Sequence, residues 1–275
     1  MKNNFYLIFF AWIINLIFIT SIFSSETFNF DVTEIEIKEE GNKFFGKKGG
    51  IVTTDDGTII KAKNFDYTKD ANILIASGDV KIVDKINQSV IYSQKITYFK
   101  NKELIESEGK SSAVSGEIEI FADKLLYNKN ANIIKGKNDV EIINAKENYS
   151  IYSDDITYLR NDEKIFSRGP TKAIFENKYN FLSSDVTINQ KLKDIKSIKN
   201  TTITDDNLNN YKLSSFKYLY EKKLLKGENI EIQTNYLGKK SDKLIFKNGI
   251  INFLDNSYIS KDTKILLHKE IFDSE

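Results

Sequence analysis

The chain has no cysteine, a single proline, a single histidine and one tryptophan. Each shortage closes off a class of explanation. Without cysteine there are no disulfides, thiolate metal sites or thiol nucleophiles. With only Pro170 to remove a backbone donor, long strands are permitted almost throughout. An excess of one charge is also missing. Forty basic residues stand against 39 acidic ones, a net charge of +1, so nothing provides the basic stripe of a nucleic-acid binder. Helical patterning is scarce as well. The stretch 211–227, YKLSSFKYLYEKKLLKG, comes nearest to a 3.6-residue period, and even there the repeat described next argues for strand.

What is present is strand chemistry. Hydrophobic residues make up 40% of the chain, aromatics 12% and charged residues 29%, a globular balance in which isoleucine, tyrosine, phenylalanine and threonine hold the apolar positions. One eight-residue block recurs: IKAKNFDY from residue 60, IYSQKITY from 91, IFADKLLY from 120, IYSDDITY from 151, FLSSDVTI from 181, YKLSSFKY from 211 and, more loosely, KKSDKLIF from 239. The steps are 31, 29, 31, 30, 30 and 28 residues, the mark of a repeat architecture.

Inside a block the apolar positions alternate, then change phase at a polar pair such as Asp154-Asp155 or Gln94-Lys95. Since a one-residue slip would exchange the buried and exposed faces, the phase change predicts a bend or bulge that keeps one face inward. A second, weaker strand follows each block, as in ANILIASGDVKI (71–82) and ANIIKGKNDVEI (131–142), with Gly78, Gly109, Gly136, Gly169 and Gly227 near its own break. Seven repeats of two bent strands predict about fourteen strand passes. Ahead of them, residues 27–58 read as a turn-rich edge hairpin; GKKGG lacks the ending and the helix of a phosphate loop.

Residues 1–25 are a different material: a lone Lys2, an apolar run from Phe5 to Phe23, then Ser24 and Ser25. This reads as an apolar helix, either a cleaved secretory signal peptide or a retained membrane anchor, and both export the remainder, residues 26–275, as one domain.

Chemistry-bearing constellations are few. His268 stands alone, with neither cysteine nor clustered carboxylates to make a metal site. The pairs Asp55-Asp56, Asp154-Asp155 and Asp205-Asp206 are adjacent on strands, so their side chains diverge and suit turns better than acid/base catalysis. No serine sits in a nucleophile motif. The expectation is a non-enzyme with no catalytic residues, metal or cofactor. The tyrosines at 67, 98, 127, 158 and 218 fit two roles equally well, filling a closed core or lining an apolar groove.

The blocks IFADKLLY, IYSDDITY and SDKLIF, with ASGDVKI (76–82) after the block at residue 60, resemble the repeat of the organic-solvent-tolerance (OstA-like) family of lipopolysaccharide-transport proteins. Residues 28–268 are similar to the periplasmic amino-terminal domain of its LptD assembly branch, which shares the repeat with LptA and LptC. The resemblance implies an all-β antiparallel β-jellyroll, a taco of two facing sheets, whose groove shelters the acyl chains of lipopolysaccharide on the way to the outer membrane. Transferred block by block, the groove residues are Ile91, Ile96 and Tyr98; Ile120, Leu125 and Tyr127; Ile151, Ile156 and Tyr158; then Phe181, Val186, Ile188, Phe216 and Tyr218. The implied partners are lipopolysaccharide and other transport jellyrolls joined by edge-strand pairing. The implied place is the periplasm, associated with the outer membrane, or anchored in the inner membrane if residues 1–25 are retained. Members of the assembly branch continue into an outer-membrane barrel, so for a chain stopping at Glu275 the resemblance implies a truncated assembly protein, a split one whose barrel is encoded separately, or a free-standing bridge. The competing expectation is a parallel β-solenoid, a surface adhesin or carbohydrate-active protein; a repeat with a dry, filled core is the third.

Overall fold

A computed structural model describes residues 28–238 and 241–267. The apolar segment 1–25 with its expected helix, part of the seventh block (Lys239 and Lys240) and His268 lie outside the described residues. Within them the chain makes sixteen strand passes, nine continuous and seven split at a bend, and every pairing is antiparallel. A parallel solenoid is therefore excluded. The two passes beyond fourteen come from the leading hairpin, Phe28–Lys38 against Lys43–Thr54, which joins the sheet directly by pairing with Ile59–Ala62 and Asn64–Thr68. The stretch that came nearest to a helix is likewise sheet, as strands Asn210–Leu213, Ser215–Leu219 and Leu224–Gln233.

The bends fall where the alternation breaks. In the strand Ser89–Phe99 the buried residues are Ser89, Ile91 and Ser93, then Ile96 and Tyr98, so the phase changes at Gln94-Lys95. Opposite it, Gly78 and Asp79 together face the single residue Gln94, a bulge in which both carry positive φ, 80° and 50°. The same two-against-one count recurs with Asn138-Asp139 opposite Asp154, and with Lys48-Gly49 opposite Thr33. At the intermediate repeats Gly109 (φ 80°) and Gly169 (φ 76°) take the place of the bulge. A left-handed residue near 49, 79, 109, 139 and 169 thus forms one line, roughly thirty residues apart, along which the sheet folds. Glycine and Asn/Asp occupy most of it because other side chains reach that conformation only at a cost.

The fold line divides the sheet into two wings. One, the tyrosine wing, is built from the later half of each block (64–68, 95–99, 124–128, 155–159, 187–189, 215–219) and the strand halves paired with them. The facing wing is built from the earlier halves, such as 59–62, 89–93, 118–122 and 149–153. Their inner faces meet. Phe181 and Phe216, one from each wing, lie 5.4 Å apart between ring centroids, and Phe175 and Tyr218 lie 5.6 Å apart. One cluster of buried residues runs from Phe28 to Phe253, and each large side chain in it contributes about 1.5–3 kcal/mol by leaving water.

Because an added Cβ at Gly169 meets nothing within 4 Å, Gly169→Ala tests the backbone conformation alone. The variant is expected to lower unfolding free energy by about 1–3 kcal/mol, read as a fall in the urea midpoint at unchanged m value. An unshifted midpoint would contradict the fold-line account.

Candidate functional site

All fourteen residues expected to line a groove point inward and belong to the one buried cluster, with exposures from 0% (Ile96, Tyr98, Tyr218) to 6% (Tyr158). Ile91, Ile120, Ile151 and Phe181 come from the facing wing and the remainder from the tyrosine wing. The structure therefore joins them into two opposed walls in contact with each other. Burial first of all pushes the hydroxyls of Tyr98, Tyr127, Tyr158 and Tyr218 above the ordinary tyrosine range, so the interior tyrosines stay neutral.

The walls are not uniform. Ring-to-ring contacts form one group among Phe28, Phe30, Phe44, Phe65, Tyr67 and Tyr98, and a second around Tyr149, Phe175, Phe181, Tyr218 and Phe253. Between them the buried residues are mainly aliphatic and partly small: Ala113, Ile118, Ile120, Ala122, Leu125 and Ile134.

Opposite the fold line is the mouth, where the free ends of the wings approach. The lip of the tyrosine wing is a row of turns, each tied to the next by a backbone bond: Lys100 to Asn72, Lys129 to Glu103, Arg160 to Asn132, Gln190 to Glu163, Tyr220 to Lys193 (2.9–3.2 Å). From it, long side chains cross to the turns of the facing wing. Lys100 reaches Asp55 at 2.8 Å. Lys129, its side chain 4% exposed, pairs with Asp56 and donates to Thr58 Oγ1 at 2.7 Å. Tyr127 donates to Asp84 at 2.8 Å, Arg160 reaches Ser115 and the carbonyl of Asn87, Lys193 pairs with Glu147 and Lys223 with Glu176. Among the described residues every ion pair across the mouth has its cation on the tyrosine-wing lip, and no backbone–backbone hydrogen bond crosses. The interior is thus closed by peptide backbone on one side and by side chains alone on the other.

Sequence reasoning passed over these mouth residues, although the repeat marks them. Counting nine onward from the first residue of each block gives Lys69, Lys100, Lys129, Arg160, Gln190 and Tyr220. Their partners are further away, 73 residues in the case of Asp56 and Lys129, and no local pattern pairs them.

Burial works against the charge of Asp56, but the Lys129 ammonium, the Thr54 hydroxyl and the Thr58 N–H outweigh it and hold the carboxyl well below the usual carboxylate range. A carboxyl depressed on folding adds stability that is present above its unfolded value, about 3.9, and is lost as pH falls through the lower folded value. Lys129→Met is therefore expected to cost no more than about 3–5 kcal/mol at pH 7. Urea midpoints of variant and parent should converge as pH falls below about 4; a gap that persists unchanged into acid would contradict the pairing.

No family model matches the sequence, and no curated protein matches it. Among solved structures the chain is similar to LptH, the LptA-homologous periplasmic component of the lipopolysaccharide transport device from Pseudomonas aeruginosa, at 12% identity and a TM-score of 0.39. The match covers 42% of this chain and 93% of that one. A likeness of that size carries no argument about what this chain does; the antiparallel two-walled architecture stands on its own strand pairings.

Proposed function

We propose that this protein is a periplasmic lipid-transport component, an OstA-like jellyroll whose inner walls shield the acyl chains of lipopolysaccharide during transport to the outer membrane. In this reading residues 1–25 direct export or anchor the chain, and the domain of residues 26–275 does the carrying. The observation that supports it is the asymmetry of closure. A continuous apolar interior spans the described chain, and only side chains roof it along the mouth.

Magnitudes favour access through that mouth. Each acyl methylene in water costs about 0.8 kcal/mol, so a twelve-carbon chain gains roughly 10 kcal/mol on burial. Exposed ion pairs contribute about 0–1 kcal/mol each, and parting the more buried Lys129 pair returns both charges to water, which offsets much of the attraction lost. One or two acyl chains suffice to offset a parted mouth, because the contacts the walls lose to each other are remade with the chain. No step in this needs a bond to form or break, in keeping with a carrier that is not an enzyme.

Among the described residues the strands Phe28–Lys38 and Ser257–Leu266 each pair on one side only, and in this reading both edges serve to join another jellyroll. The first carries Asp31, Glu34, Glu36 and Lys38 beside exposed Ile35 and Ile37; the second carries Lys261, Asp262 and Lys264 beside exposed Ile259 and Ile265. Such edges suit strand addition between transport domains.

Photocrosslinking tests the reading. A benzophenone side chain replacing Tyr127 or Tyr158 is expected to form adducts with lipopolysaccharide, and one replacing exposed Asp154 on the fold line to form none. Equal labelling from all three positions would contradict it.

A further inference from the structure

Arg160 differs from the other mouth cations in both identity and partners. The chain has only two arginines among its 40 basic residues, and one of them occupies the repeat position that holds lysine at 69, 100 and 129. Its three hydrogen bonds go from Nε to Ser115 Oγ at 2.6 Å, from one Nη to Asn132 Oδ1 and from the other to the Asn87 carbonyl. All three acceptors are neutral. Lys100, Lys129, Lys193 and Lys223 each have a carboxylate, whereas Arg160 has none among the described residues. A guanidinium has five N–H donors, so its charge is uncompensated and two donors remain for a further acceptor. It is partly buried, and its lip lies over the aliphatic stretch between the two ring groups.

We propose that Arg160 is the headgroup-binding residue of the mouth, and that the ligand is an anionic amphiphile carrying a phosphoester. Its alkyl chains lie between the walls, and its phosphate takes the free donors of the guanidinium. This rests on the reading of the interior as an acyl trough. A planar fork of donors suits a phosphate oxygen pair better than an ammonium does, which accounts for arginine at a position where the repeat otherwise supplies lysine. Lys129 and Lys193, in the lip turns on either side, already pair with Asp56 and Glu147. A phosphate at Arg160 can draw either lysine from its carboxylate, so that binding loosens the clasp it enters through. A neutral amphiphile with the same chain has no such exchange available.

The test is calorimetric titration, below micellar concentrations, with dodecyl phosphate and with dodecyl maltoside. The parent protein is expected to bind dodecyl phosphate at least tenfold more tightly. Arg160→Gln should lose that preference while binding dodecyl maltoside as before, and Arg160→Lys should retain part of it. The lysine variant also serves if Arg160→Gln proves unable to fold, which its urea midpoint reports. If both probes bind the parent equally, or Arg160→Gln weakens both alike, the headgroup assignment is overturned while the trough stands. If neither probe binds the parent, the trough reading fails, and the assignment with it.

Discussion

A strand that changes its alternation halfway along can keep one face inward only by turning a corner, and this constraint shapes the whole molecule. Repeated at nearly constant intervals, the corners align into the fold line marked by Gly49, Asp79, Gly109, Asp139 and Gly169. Two walls then face each other without any second sheet having to be brought in from elsewhere in the chain. The continuous strands Ile73–Asp84, Ser89–Phe99, Ile133–Asn144 and Tyr149–Leu159 belong to both walls at once. The wings are therefore hinged by covalent backbone and cannot drift apart along the fold line.

The opposite side has no such tether. A closed barrel would satisfy its last strands with backbone bonds, but here the mouth is spanned by lysines, an arginine, a tyrosine and ring contacts such as Tyr149–Tyr220. Side-chain bonds of this kind are individually weak and can be replaced by a ligand's own groups, whereas a broken strand ladder leaves buried amides unpaired. The design holds an apolar interior dry yet leaves one face that can yield. Placing the cations together on one lip adds a direction: an anion arriving at the mouth meets partners on the tyrosine wing and repulsion from Asp56, Asp84 and Glu147 on the other.

Much of the architecture was legible because it is periodic. The phase change at Gln94-Lys95, the breaks at Gly78, Gly109 and Gly169 and the inward set from Ile91 to Tyr218 follow from the strand period of two and the spacing of the blocks, whereas Gly136 and Gly227 sit in regular pairing and the left-handed residues are Asn138, Asp139 and Asn229. The hairpin at residues 28–54 reads as an edge in the sequence but adds two full passes, with Val32 packed closely on Gly46 and Gly50 and Phe65 on Gly46. Less legible was the mouth. Each turn of one lip meets turns from earlier in the chain, so Arg160 finds Asn87 and Ser115 rather than a residue of its own repeat. The apolar column reads the same as a filled core or a groove, since both need the same inward side chains.

The most direct measurement is the width of the mouth with and without an acyl ligand. The chain has no cysteine, so spin labels can be placed at Ile86→Cys on one lip and Asp162→Cys on the other, both exposed, and their distance followed by pulsed electron resonance. Saturation with lipopolysaccharide is expected to lengthen the distance across the mouth, while a pair of labels on one wing stays fixed. Stoichiometric lipid binding with an unchanged distance across the mouth would contradict the account.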